Sequence, residues 1–152
     1  MNPSYRFATH CVHAGAQADA RGAVRPPVYN STTFMPVADS GLDPAALYTR
    51  YGRNPTLYRV EHQLAALEGA ESAIVFSAGM AALSSACLAL GGGGIVGLGN
   101  LYGGTDELLT EQLPRLGYQT RLLIPDEVNR LDEVLTAGAT LVIVESPTNP
   151  DL

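Results

Sequence analysis

From residue 55 onward, short apolar runs alternate with stretches of helical periodicity, and this alternation constrains the fold more than any other feature. Leu57, Val60, Leu64 and Leu67 recur at helical spacing, with Pro55 suited to the first turn and Gly69 to the stop. Segments 73–76, 95–98, 119–124 and 140–145 read as strands, and 80–90, 105–116 and 127–135 as helices. Strands this apolar are buried on both faces, which requires helices above and below them. The pattern therefore specifies an α/β fold with a mostly parallel, doubly wound sheet. The last apolar strand is followed by a few residues and no covering helix, so residues 55–152 are expected to be the first part of a larger domain. A strand near 73–76 or 140–144 is then expected to lack a neighbour, which favours association of the chain.

Residues 1–54 differ. Prolines at 3, 26, 27, 36 and 44 interrupt scattered aromatics, and neither helical nor strand periodicity is sustained. The run from Val24 to Phe34 reads as extended chain, because Pro fixes φ and biases its predecessor away from helix. So long an irregular stretch normally serves a function or packs elsewhere, and we take it as an arm lying on another subunit of a homo-oligomer.

Composition excludes several classes. Hydrophobic residues make up 46% and charged residues 16%, unlike a disordered chain. Nine basic against fifteen acidic residues give a net charge of −6, which opposes a nucleic-acid partner or a polybasic membrane anchor. Residues 72–105 carry no charge and are long enough to span a bilayer, yet nine glycines, four of them consecutive at 91–94, interrupt them. The first residues lack the apolar core of a signal peptide, so a cytoplasmic protein is expected. Cys11 and Cys87 are too far apart in sequence to suggest a disulfide framework or a CxxC site. His10 and His13 flank Cys11 without an apparent fourth ligand, and no metal site is expected.

Three segments could carry chemistry. In 73–82 a strand, a small-residue turn and a helix follow one another. Free backbone N–H groups at Gly79, Met80 and Ala81 would make an anion site there, or the small residues serve tight packing. Gly97-x-Gly99-x-x-x-Gly103 after a strand is a loose dinucleotide fingerprint, with its third glycine displaced and Asp126 late as the acidic partner. It supports an alternative reading as a non-catalytic module that binds a nucleotide or a partner. Glu145 and Asn149 follow a buried strand, at the carboxyl edge where open α/β sheets bind ligands, although an ordinary Asn-Pro turn fits as well.

Together the motifs resemble a known family. Thr9-x-x-x-His13-Ala-Gly15, Pro26-Pro27-Val-Tyr, Tyr48-Thr-Arg50, Asn54-Pro-Thr56, Leu64-x-x-Leu-Glu-Gly69, Ser77-Ala-Gly-Met80, Leu101-Tyr-Gly-Gly-Thr105 and Glu145-Ser-Pro-Thr-Asn-Pro150 occur in order. The set is similar to the Cys/Met-metabolism, or transsulfuration, family of pyridoxal-phosphate enzymes: cystathionine synthases and lyases, methionine gamma-lyases and O-acylhomoserine sulfhydrylases. The resemblance covers essentially the whole chain. It implies a fold-type I, aminotransferase-like domain, a pyridoxal 5'-phosphate cofactor, and a small amino-acid substrate (a sulfur amino acid or an activated homoserine) undergoing β- or γ-elimination or replacement. It further implies that Gly79 and Met80 donate to the cofactor phosphate and that Tyr102 stacks on its ring. Asn149 would bond the ring hydroxyl, and Glu145 would support that edge. Tyr48 and Arg50 would reach the phosphate of a neighbouring subunit.

The chain departs from the family pattern in places. Arg53 intervenes between Gly52 and Asn54, Ala78 replaces a common Ser, and the glycines at 91–94 replace acidic and proline residues. All nine basic residues are Arg. A pyridoxal-phosphate enzyme needs an amine nucleophile to hold the cofactor's aldehyde, and no Lys is present to supply one. The pyridine-pairing Asp and the substrate-carboxylate Arg of the family have no counterpart here either. A fragment that is inactive alone is expected rather than a self-sufficient enzyme.

Overall fold

The computed structural model describes residues 6–14, 22–35 and 48–148. The chain divides into two compact units, Met1–Val75 and Phe76–Leu152.

In the first unit the segment expected to be irregular contains a short helix, α1 (Phe7–His13), and a 3-10 turn at Thr49–Tyr51. Seven residues carry little intrinsic helix stability, so sequence periodicity alone could not reveal α1. The α2 helix (Pro55–Glu68) begins and ends as expected, with Pro55 at its first position and Gly69 in the left-handed region at φ 65°. Its start is built around Asn54, whose side chain is almost wholly buried. Asn54 Oδ1 accepts from the Thr56 N–H (2.8 Å), the standard N-cap bond. Its Nδ2 donates to the carbonyl of Tyr29 (3.0 Å) and to Thr49 Oγ1 (2.9 Å). The Tyr29 N–H in turn donates to Thr56 Oγ1 (2.9 Å), and Thr33 pairs with Tyr48 in an antiparallel bridge. The stretch around residues 29–33 is thereby fastened to its own helix.

The second unit contains α3 (Gly79–Leu90), β1 (Ile95–Leu98), α4 (Gly103–Glu107), a π turn at Leu108–Gln112, α5 (Leu113–Arg115), β2 (Thr120–Leu123), a 3-10 segment at Pro125–Arg130, α6 (Leu131–Thr136) and β3 (Leu141–Val144). The expected helix over 105–116 is thus continuous but widened in its middle. Pro114 has no N–H for the Thr110 carbonyl, and the π turn directly precedes it. The expected helix over 127–135 opens instead as a 3-10 segment behind Pro125. The charge-free stretch 72–105 is broken into α3, a glycine turn and β1. Among the described residues no helix is long and apolar enough to cross a membrane.

Among the described residues the strands form a parallel sheet in the order β2-β1-β3, with Ile95 level with both Thr120 and Leu141. Strand periodicity assigns the two faces. Ile95, Ile143 and Leu141 pack with Cys87, Leu109 and Leu113 on one side. Val96, Val142 and Leu123 pack with Val134 and Leu131 of α6 on the other. Burial of the Cys87 thiol on the first face pushes its pKa up. The expected strand at 73–76 does not form among the described residues: these residues belong to no ladder, Ile74 is 75% exposed, and the Val75 N–H donates to the Glu61 carboxylate (3.1 Å). An apolar tetrapeptide becomes a strand only when another strand meets its backbone groups.

Candidate functional site

The chain leaves β1, adds β2 on one side of it, then returns to add β3 on the other side. The loops after β1 and β3 therefore leave neighbouring strands at the carboxyl edge, which is where open parallel sheets form ligand crevices. A cavity of about 550 Å³ lies there, with Gly79, Met80, Tyr102, Thr105, Ile143 and Glu145 in its wall.

One wall is the start of α3. Its N-cap position is Ala78, which has no side-chain acceptor to offer, and the space around Gly79 is open. Of the three N–H groups expected to be free, Ala81 is not, because it donates to the Ala78 carbonyl (3.1 Å). Gly79 and Met80 have no partner for theirs among the described residues. A twelve-residue helix concentrates a partial positive charge at this end.

Another part of the wall is the start of α4. Tyr102 occupies its N-cap position with its side chain half exposed. The Tyr102 N–H donates to Glu145 Oε2 (2.7 Å), and the buried Thr105 hydroxyl donates to Glu145 Oε1 (2.7 Å). Glu145, one residue past β3, thus caps a helix that begins after β1, and both its oxygens are engaged inside the protein. Gly104 lies under the Tyr102 ring. A methyl group there would sit 2.7 Å from Cε1 and 3.4 Å from Met80 Sδ.

The sequence-predicted residues therefore fall into separate groups. Gly79, Met80, Tyr102 and Glu145 surround a common cavity in the second unit. Tyr48 and Arg50 belong to the first unit, where the Arg50 Nε–H donates to the Tyr48 hydroxyl (3.4 Å) and the Tyr48 ring meets Tyr51 edge-on at 5.0 Å. Asn149 lies outside the described residues. The structure adds Thr105 and Gly104. Thr105 is three residues past the N-cap, the spacing that marks a capping residue, but its carboxylate partner is 40 residues away and invisible to local pattern.

The glycine-rich stretch of the alternative reading is used differently. Gly97 lies in the middle of β1, within the expected strand. A methyl group on it would collide with Leu122 and come within 2.8 Å of Leu101 and Leu109. This glycine serves core packing and not the approach of a diphosphate.

The arrangement suits pyridoxal phosphate: two unpaired N–H donors at a helix start for a phosphate, and a half-exposed flat ring in the wall of the same cavity. It offers no amine.

Comparison with known proteins follows the same line. The family model of the Cys/Met metabolism PLP-dependent enzymes matches residues 8–152. An L-methionine gamma-lyase of Porphyromonas gingivalis is 35% identical over 96% of this chain and 39% of its own length. A cystathionine gamma-lyase of Saccharomyces cerevisiae is 35% identical over all of this chain and 38% of its own. A putative O-acetylhomoserine (thiol)-lyase of Campylobacter jejuni, solved with a pyridoxyl-lysine phosphate, superposes with a TM-score of 0.79 and 26% identity over 97% of this chain and 38% of that one. The chain spans under two-fifths of the length of these relatives.

Proposed function

The chain belongs to the Cys/Met-metabolism family of pyridoxal-phosphate-dependent enzymes, and on that premise we propose that the cavity at the ends of β1 and β3 is its half of the cofactor site. The observation that carries this is that the unpaired Gly79 and Met80 N–H groups and Tyr102 belong to the lining of one cavity. Gly79 and Met80 bind the phosphate through backbone donors aided by the α3 dipole. Tyr102 covers one face of the pyridine ring and shields it from water. When bound, pyridoxal phosphate supplies an electron sink for bond cleavage beside the α-carbon of an amino acid. Asn149, just past the described part of the loop after β3, is assigned to the ring hydroxyl.

The whole protein then acts on a sulfur amino acid or an activated homoserine by elimination or replacement at a C–S or C–O bond. Tyr48 and Arg50 are assigned to the phosphate of a neighbouring subunit, with the exposed Arg50 guanidinium as a planar fork for phosphate oxygens. The family resemblance supports this together with the pairing of the two side chains. A cytoplasmic homo-oligomer is the setting that suits such an enzyme.

The test is binding of pyridoxamine 5'-phosphate, which has no aldehyde and so reports the pocket without any Schiff base. Calorimetric titration of the chain is expected to give saturable binding that weakens roughly threefold to tenfold in Tyr102→Ala, the range of a lost aromatic contact. Binding that is unchanged in Tyr102→Ala would refute the assignment.

A further inference from the structure

Tyr102 carries the proposed ring contact with a half-exposed side chain. Two neighbouring features bear on where that ring lies. Glu145 fixes the backbone from which the ring springs, through the Tyr102 N–H and the Thr105 hydroxyl, both at 2.7 Å. Gly104 leaves room for the ring against the first turn of α4, where a methyl group would lie 2.7 Å from Cε1. Gly103, its neighbour in the same turn, has open space where its Cβ would be.

We propose that Glu145 and Gly104 are positioning residues that set the angle of the Tyr102 ring, Glu145 acting through its two hydrogen bonds and not through its charge on the cofactor. The inference rests on the cofactor reading above, but its first readout needs no ligand. A carboxylate that serves as a double acceptor between an N–H and a hydroxyl can be replaced by an amide. Gln accepts from the Tyr102 N–H with its oxygen and donates to Thr105 Oγ1 with its nitrogen, the hydroxyl turning its proton away. Alanine can do neither. A carboxylate needed for its charge would lose as much on change to Gln as on change to Ala.

The experiment uses the full chain in two steps. In the ligand-free protein, amide hydrogen exchange at Tyr102 and the ring resonances of Tyr102 are measured by NMR for wild type, Glu145→Ala, Glu145→Gln, Gly104→Ala and Gly103→Ala. Exchange is expected to speed about tenfold or more in Glu145→Ala, consistent with loss of a charge-assisted bond, and to stay within a few-fold of wild type in Glu145→Gln. The ring resonances should move in Gly104→Ala and stay in Gly103→Ala. Pyridoxamine 5'-phosphate is then titrated. Its affinity should fall roughly threefold to tenfold in Glu145→Ala and Gly104→Ala, the size of a lost stacking contact, and hold in Glu145→Gln and Gly103→Ala. Tyr102 exchange unaffected by Glu145→Ala, ring resonances unmoved by Gly104→Ala, or equal losses of affinity in Glu145→Gln and Glu145→Ala would each overturn the proposal. If the probe binds none of the proteins, wild type included, the cofactor reading fails by itself, and the ligand-free measurements still decide the positioning.

Discussion

The substitution Asn54→Asp exchanges an amide nitrogen for an oxygen and isolates what ties the early segment to α2. The N-cap is kept, since Asp caps as well as Asn and its charge gains about 0.3–1 kcal/mol from the helix dipole. The donor is lost. Where Nδ2 now points at the Tyr29 carbonyl at 3.0 Å and the Ser31 carbonyl at 3.4 Å, a carboxylate oxygen would face two acceptors. The Thr49 hydroxyl, 2.9 Å away, could turn to it only by leaving the Ser31 carbonyl. The site is 3% exposed, so water cannot easily repair the loss. A buried group deprived of its partner costs about 1–3 kcal/mol. The cost outweighs the dipole gain, and a net loss of about 1–2 kcal/mol at pH 7.5 is expected. Protonation restores a donor, so the folded state raises the pKa of the introduced carboxyl above the unfolded value of about 3.9. A group with a raised folded pKa contributes its stability in full below the unfolded value and loses it as pH rises through the folded one. Urea unfolding followed by far-UV circular dichroism at pH 4.5 and 7.5 checks this, with wild type measured at each pH to cancel other carboxylates. The difference from wild type should shrink on acidification. A variant as stable as wild type at pH 7.5, or a difference that grows at pH 4.5, would refute the reasoning.

Further expectations concern the second unit and the cysteines. Gly97→Ala should cost roughly 0.5–2 kcal/mol in urea unfolding, because overpacking against Leu122, Leu101 and Leu109 costs about 1–3 kcal/mol and the relief from removing a mid-strand glycine returns only about 0.5–1; a stabilised variant would contradict the packing role. Iodoacetamide at pH 8 should modify Cys11, which is exposed, rapidly, and Cys87, which is buried with its thiol pKa pushed up, only after unfolding; mass spectrometry of the native protein showing both modified at equal rates would count against this. Borohydride reduction of the 152-residue chain with pyridoxal phosphate should leave no cofactor on any side chain, since the sequence has no Lys; a peptide-mapped adduct anywhere but the N-terminal amine would overturn it.

Local chemistry was enough for much of this molecule. The α/β class, the limits of α2, and strands within 95–98, 119–124 and 140–145 follow from periodicity, proline and glycine, because these signals act over a turn or a pleat and need no distant partner. The family was legible for a related reason: ordered short motifs survive in sequence even where each is ambiguous alone. What depended on tertiary structure is whatever needed two remote segments. Residues 73–76 read as an apolar strand and form none among the described residues, because a strand exists only through a neighbour's hydrogen bonds. Gly97 lies in a strand the sequence already marks, but only Leu101, Leu109 and Leu122 closing on it reveal that packing is why no side chain fits there. Glu145 and Tyr102, 43 residues apart, become a capped helix start only when β3 lies beside β1 in parallel. Side-chain geometry of that kind is a property of packing, and no spacing along the chain encodes it.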